Sequence, residues 1–158
     1  MTLDLLGRPA GTTIDWTAVL ASVDWFLPND VQLLQLSGTS TARDAVAWAL
    51  DRGARHVVMT LGGDGALFAT PTNLVVVPAR DVEVRDTTGC GDAVVGGLIA
   101  ALLAGLDDAT AIELAVVAGS TTARGYGSDA GVAGLDALQA ARRELPIRPP
   151  AASIDGAR

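Results

Sequence analysis

No lysine occurs anywhere in this chain of 158 residues, and its positive charge rests on arginines scattered along the sequence. A phosphate loop of the Walker A type needs a lysine to reach the β- and γ-phosphates, so that motif is excluded. A formal net charge of -7 with no cationic cluster argues against a nucleic-acid surface, because phosphate-backbone contacts require grouped Lys and Arg. Cysteine and histidine occur once each, as Cys90 and His56, which leaves no internal disulfide, no paired-cysteine metal motif and no H-E-x-x-H pair. The longest apolar stretch, Ala93 to Gly105, is too short to span a bilayer, and no charged segment followed by an apolar signal core opens the chain. These absences predict a protein of a reducing cytoplasm, with no membrane and no nucleic-acid partner.

What remains is a compact-chain composition, 49% hydrophobic and 18% charged, long enough for one domain with a substantial core. Strand-like apolar runs alternate with helical ones, the pattern of a layered α/β domain with a mostly parallel sheet. Strands are expected at 2–6, 25–27, 56–60, 66–69 and 74–77, the last two as a hairpin around Pro71-Thr72-Asn73. Residues 82–85 alternate as a half-exposed strand. Helices are expected at 15–22, 30–35 (closed by Gly38), 41–52 (capped by Thr39 or Ser40), 92–104, about 108–121 and 135–145. The helix after Asp92 is apolar nearly all round, which predicts a central position. The organisation reads as one domain over 1–145 and a disordered tail over 146–158, where Pro149, Pro150 and small residues accumulate.

The chemistry concentrates at Asp86-Thr87-Thr88-Gly89-Cys90-Gly91-Asp92, where the half-exposed strand gives way to the apolar helix. Gly89 and Gly91 allow a tight turn that aims consecutive N–H groups at one point, and the helix start adds its unpaired donors and positive dipole end. Such a place suits phosphate. Asp92 would repel a phosphate by its charge, so it makes sense as a base: beside the cradle of Gly89, Cys90 and Gly91 it can take the proton of a hydroxyl attacking the γ-phosphoryl group of ATP. Read plainly, Asp92 is instead a helix-start acid that favours the dipole, Asp86 a turn cap, and Cys90 a small residue whose N–H matters more than its thiol. The glycine loop Thr60-Leu61-Gly62-Gly63-Asp64-Gly65 frees the backbone to approach a ligand, although a hairpin turn would leave the same trace.

The nine residues DTTGCGDAV resemble the signature D-[ST]-T-G-A-G-D-x-[FV] of the ribokinase or PfkB family of carbohydrate kinases, with Cys90 as the departure. Pro28-Asn29-Asp30-Val31-Gln32 with Leu36-Ser37-Gly38 resembles the family's P-N-x-x-E…L-T-G, and Thr60 to Gly65 its T-x-G-x-x-G. The resemblance runs from about Leu3 to about Val132 and covers only the C-terminal half of a family member. It implies a ribokinase-like three-layer α/β/α fold lacking the N-terminal lid and sugar-site half, and ATP-dependent phosphoryl transfer to a hydroxyl of a sugar or sugar-like substrate with Mg²⁺. It further implies that Asn29, Thr60, Gly62, Gly63, Asp64, Gly65, Gly91 and Asp92 contact the nucleotide in one cleft. Asp86 and Thr88 are implied in a monovalent-cation site for K⁺. Gln32 stands where the family has a glutamate that organises Mg²⁺, and a neutral amide holds that cation more weakly. Relatives carry an asparagine beside the adenine on the helix from about Asp108 to Thr121, and none occurs there, the two asparagines being Asn29 and Asn73. Gly125, Gly127 and Gly131, with Tyr126, are expected in a loop closing the adenine end. The partners expected are ATP, a small sugar, and either a second copy or a complementing N-terminal half. The alternative from another class is a catalytically silent nucleotide-binding or interaction module derived from such a kinase.

Overall fold

The computed structural model describes residues 1–3, 14–131 and 133–149. Within them the chain forms two compact units. The first comprises Met1–Gly62 and Leu67–Val76; the second comprises Gly63–Ala66 and the chain from Val77 onward.

The first unit carries a five-stranded sheet in the order β1 (Thr2–Leu3), β2 (Trp25–Phe26), β3 (His56–Thr60), β4 (Ala66–Thr70), β5 (Asn73–Val77). β1 and β2 run parallel with Thr2 opposite Trp25, and β2 and β3 run parallel with Trp25 opposite His56. Parallel neighbours need long crossovers, and here these contain α1 (Trp16–Ser22), then α2 (Asp30–Ser37) and α3 (Ala42–Asp51). The remainder of the strand expected over 2–6 lies outside the described residues. β4 and β5 are joined across Pro71 and Thr72, as the turn residues predict.

Each helix of this unit begins where a side chain relieves its first free N–H groups. The Asp15 carboxylate accepts from the Thr17 and Ala18 N–H groups. Thr41, and not Thr39 or Ser40, caps α3, its hydroxyl accepting from the Asp44 N–H at 3.1 Å. Leu20, Phe26, Leu33, Val46, Val57, Met59 and Leu67 close the core of this unit. His56 belongs to that packing: its ring stacks on Trp25 with centroids 4.3 Å apart, and its Nδ1 lies 2.9 Å from the Asp24 carbonyl oxygen.

The second unit is built on α4 (Cys90–Leu103) and α5 (Asp108–Thr122), with α6 (Leu135–Glu144) against α5. Small residues let α4 and α5 approach closely. A Cβ on Gly97 would stand 2.9 Å from that of Ala118, and one on Gly119 would stand 2.9 Å from Val94 Cγ2. α5 is buried nearly all round.

Three features differ from the sequence-based expectation. Residues 82–85 form no strand, since no neighbouring strand offers them a ladder; single bonds tether the segment, from Asp81 N–H to the Pro146 carbonyl (2.7 Å) and from Arg85 N–H to the Ala123 carbonyl (2.8 Å). The chain past Leu145, expected as tail, stays bonded through residue 148, with Ile147 bridging Arg80 antiparallel and the Arg148 N–H donating to Ala79. Residues 150–158 lie outside the described part. Finally, α4 is not enclosed: Val94, Gly97, Leu98 and Ala101 are buried, while Asp92, Gly96, Ile99, Ala100 and Leu103 face outward.

Candidate active site

The turn entering α4 is held by Asp86. One carboxylate oxygen accepts from the Thr88 N–H (2.9 Å) and the Thr88 hydroxyl (2.7 Å), and the other accepts from the Gly127 N–H at 2.9 Å. These donors, the Gly127 N–H first and the Thr88 N–H next, hold the Asp86 pKa at about 2, below its ordinary 3.8. The side chain therefore works here as an anchor between the turn and the loop 124–131. Thr88 is bonded to the same carboxylate, so the two residues implied in cation binding are brought together. Gly89, the N-cap, has φ of +79° and lies so close to the loop that a Cβ there would be 2.6 Å from Ser128 Cα. Only glycine meets both demands.

Beyond Gly89 the helix start is open. The Cys90 N–H donates to the Thr87 carbonyl at 3.2 Å, but no described group accepts from the Gly91 or Asp92 N–H. Apart from its chain neighbours and the adjoining helix backbone, no described atom lies within 4 Å of where a Gly91 Cβ would stand. The Asp92 side chain is exposed and has no hydrogen bond or ion pair among the described residues. Free donors, clear space and a free carboxylate thus occupy consecutive positions, an arrangement that accommodates a phosphate on the donors and leaves the carboxylate available to a proton. Cys90 is half-buried, and burial followed by the Asp86 charge pushes its thiol pKa up, so the helix start does not activate it.

The glycine loop is a single 3₁₀ turn over Gly62–Asp64 between β3 and β4. Gly65 is a packing requirement: φ is +96°, and a Cβ would stand 2.1 Å from the Val77 carbonyl oxygen. Gly63 is exposed beside the Arg148 guanidinium, whose Nη1 would be 3.0 Å from an added Cβ. Asp64 is engaged in a further interaction.

In the first unit Asn29 and Gln32 form a reciprocal capping box for α2. Gln32 Oε1 accepts from the Asn29 N–H and Asn29 Oδ1 from the Gln32 N–H, each at 2.8 Å. Asn29 also pairs through its backbone with Thr60, so these two strand-end residues stand side by side. The sequence reading placed Asn29 and Gln32 by their resemblance to ligand-contacting positions; their spacing of three residues also satisfies the capping pattern.

Two features of the second unit escaped the sequence reading. Arg80, 4% exposed, pairs with Glu113, which also takes Arg142 of α6 at 2.6 Å. Burial raises the Glu113 pKa, but the hydrogen bonds and charges of Arg142 and then Arg80 outweigh it, and the net shift is downward. A cavity of about 480 Å³ lies between residues 81–85, the end of α5 and the start of the 124–131 loop, with Glu83, Arg85 and Arg124 on its wall. No residue singled out as catalytic lines it. Tyr126, on the same loop, is 77% exposed. Partners separated by dozens of residues leave no local trace, so only a charge pairing imposed by the fold could reveal them.

Among the described residues no three His, Cys, Asp or Glu side chains come together as a metal site, and no helix is long and apolar enough to cross a membrane. Magnesium that arrives with a nucleotide takes phosphate oxygens and waters as ligands and needs few from the protein, which suits this sparse donor set.

The family described as pfkB family carbohydrate kinase matches residues 8–133. The chain is 43% identical over 98 residues to a 1-phosphofructokinase of Haloferax volcanii, covering 59% of this chain and 32% of that protein. It is 30% identical over 145 residues to a ribokinase of Lactococcus lactis, covering 92% of this chain and 47% of the relative. Among solved structures, the aminoimidazole riboside kinase of Salmonella enterica, complexed with aminoimidazole riboside and an ATP analog, superposes with a TM-score of 0.78 at 30% identity, covering 89% of this chain and 51% of that one. The chain therefore spans about half the length, or less, of the proteins it matches.

Proposed function

The chain belongs to the pfkB family of carbohydrate kinases and carries about half of its ribokinase-like α/β fold, and from that premise we propose that it supplies the phosphoryl-transfer corner of a kinase acting on a sugar hydroxyl. The observation that carries this reading is the unpartnered Asp92 carboxylate beside the unpartnered N–H groups of Gly91 and Asp92. Asp92 accepts the proton of the acceptor hydroxyl. The N–H groups at the head of α4 face the phosphoryl oxygens and stabilise their charge as the group moves from ATP to that hydroxyl. Asp86 and Gly89 act indirectly by fixing the turn that aims those donors. Mg²⁺ arriving with the nucleotide would supply neutralisation of phosphate charge. The turn at Asp86 and Thr88 is the place for a monovalent cation, through carbonyl oxygens.

The names of the relatives support a sugar or riboside as acceptor and ATP as donor. A second reading, a nucleotide-binding module without catalysis, is favoured by one observation: Gln32 is uncharged and its amide oxygen closes a helix cap.

Calorimetry with Mg-ATP, and ³¹P NMR of ATP with a panel of pentoses, hexoses and ribosides, separate the readings. We expect Asp92→Asn to bind Mg-ATP as the parent does and to lose transfer by about 10²–10⁴-fold. Binding without transfer by the parent protein supports the silent module. Equal transfer by both proteins removes Asp92 from the mechanism.

A further inference from the structure

The cavity of about 480 Å³ beside the 124–131 loop is lined by two arginines and two acids, Arg85 and Arg124 with Asp81 and Glu83, and by Thr121 of α5. It lies wholly within the second unit, and its size is that of a small-molecule site. These charges do not satisfy one another. Glu83 stands a loose 3.9 Å from Arg85, while the Arg124 guanidinium and the Asp81 carboxylate have no hydrogen bond or ion pair among the described residues. No aromatic residue lines the space, so it offers a nucleobase nothing to stack on. Its position is particular too. One wall, residues 81–85, runs directly into Asp86, and the other includes the start of the loop whose Gly127 N–H donates to the Asp86 carboxylate. A ligand spanning Arg85 and Arg124 therefore joins the same two segments that Asp86 joins.

We propose that this cavity is a binding site for a small phosphorylated sugar, separate from the head of α4. The phosphate takes Arg85 and Arg124, whose guanidinium forks match its oxygens. A pocket built for an anion alone would be weakened by Asp81 and Glu83, because their charges repel it. They suit a ligand whose other end carries hydroxyl donors, since ionised carboxylates only accept hydrogen bonds. The Thr121 hydroxyl, which donates to the Val117 carbonyl at 2.8 Å, keeps its lone pairs for one hydroxyl more. Because the ligand joins residues 81–85 to the 124–131 loop in the folded chain only, binding raises stability. None of this depends on the proposed transfer reaction.

The test is calorimetric titration of the whole chain with ribose 5-phosphate, ribose and inorganic phosphate, with thermal melts alongside. Ribose 5-phosphate is expected to raise the melting temperature and to bind about tenfold or more tighter than ribose or phosphate alone. Arg85→Ala and Arg124→Ala should each weaken it by about tenfold or more. Asp81→Asn should weaken ribose 5-phosphate and leave inorganic phosphate no weaker. Gly91→Ala at the head of α4, and Arg143→Ala on the exposed side of α6, should leave its binding unchanged. Circular dichroism confirms that each variant is folded, and Arg124→Gln replaces the alanine variant if that one is not. Absence of binding, inorganic phosphate bound as tightly as ribose 5-phosphate, or binding retained in both arginine variants overturns the proposal. So does binding lost in Gly91→Ala, which would put the ligand at the candidate active site. A chain that binds ribose 5-phosphate through the two arginines yet transfers no phosphate from ATP sinks the kinase reading and leaves this site standing.

Discussion

The Asp86 carboxylate accepts a hydrogen bond from the Gly127 N–H at 2.9 Å, across 41 residues of chain, while its other oxygen holds Thr88. This one side chain ties the entrance of α4 to the loop 124–131. The direction in which N–H groups at the head of α4 point therefore depends on a residue outside the helix.

Titration of Asp86 should be visible in stability. Its folded pKa of about 2 lies below the ordinary 3.8, so the contribution is complete above pH 3.8 and is lost as the pH falls from there toward 2. Thermal melts across that window should fall more steeply for the parent protein than for Asp86→Asn; parallel curves would detach the anchor from its carboxylate.

Two glycines two positions apart should behave oppositely. At Gly89 an alanine would take φ of +79° and press a Cβ to 2.6 Å from Ser128 Cα, so Gly89→Ala should cost at least about 1–3 kcal/mol from backbone strain alone. At Gly91 the space is open, and Gly91→Ala should leave the melting temperature equal or slightly higher. Its cost should appear as weaker Mg-ATP binding in calorimetry, by about tenfold or more, because the added methyl fills the place a phosphate would approach.

Glu113 holds a buried arginine. Glu113→Leu would leave Arg80, 4% exposed, without its carboxylate and release Arg142 of α6 from its partner, a loss of about 3 kcal/mol in urea unfolding. Arg142→Ala should cost much less, since its side chain is already 38% exposed.

The close approach of α4 and α5 predicts intolerance of bulk. With a Cβ on Gly97 already 2.9 Å from that of Ala118 and 3.2 Å from Ala115 Cα, Gly97→Val should destabilise by about 1–3 kcal/mol through overpacking. Gly96→Val, facing open space one residue earlier, should change the melting temperature far less.

Much of the local architecture was legible. β3 falls on His56–Thr60 as its buried apolar run predicts, Pro71 and Thr72 turn the hairpin, and Asp107 caps α5 through the Thr110 N–H at 3.0 Å. Periods, caps and turn residues act over a few neighbouring positions, so the sequence carries them openly. The candidate base and the glycines beside it were legible for the same reason, since a turn opening a helix is a local event.

By itself, then, the order of residues determined the helices and most of the strands, the turn that opens α4, and the placement of Asp92 next to free backbone donors, all within a few bonds of chain. The tertiary structure decided what those parts are attached to: Gly127 on Asp86, Glu113 on Arg80, Arg148 beside Gly63, and an outer side of α4 left in solvent where an enclosed helix was expected. Such outcomes depend on which surfaces meet after the chain folds back, and hydrophobic pattern records that a face is apolar without recording what covers it.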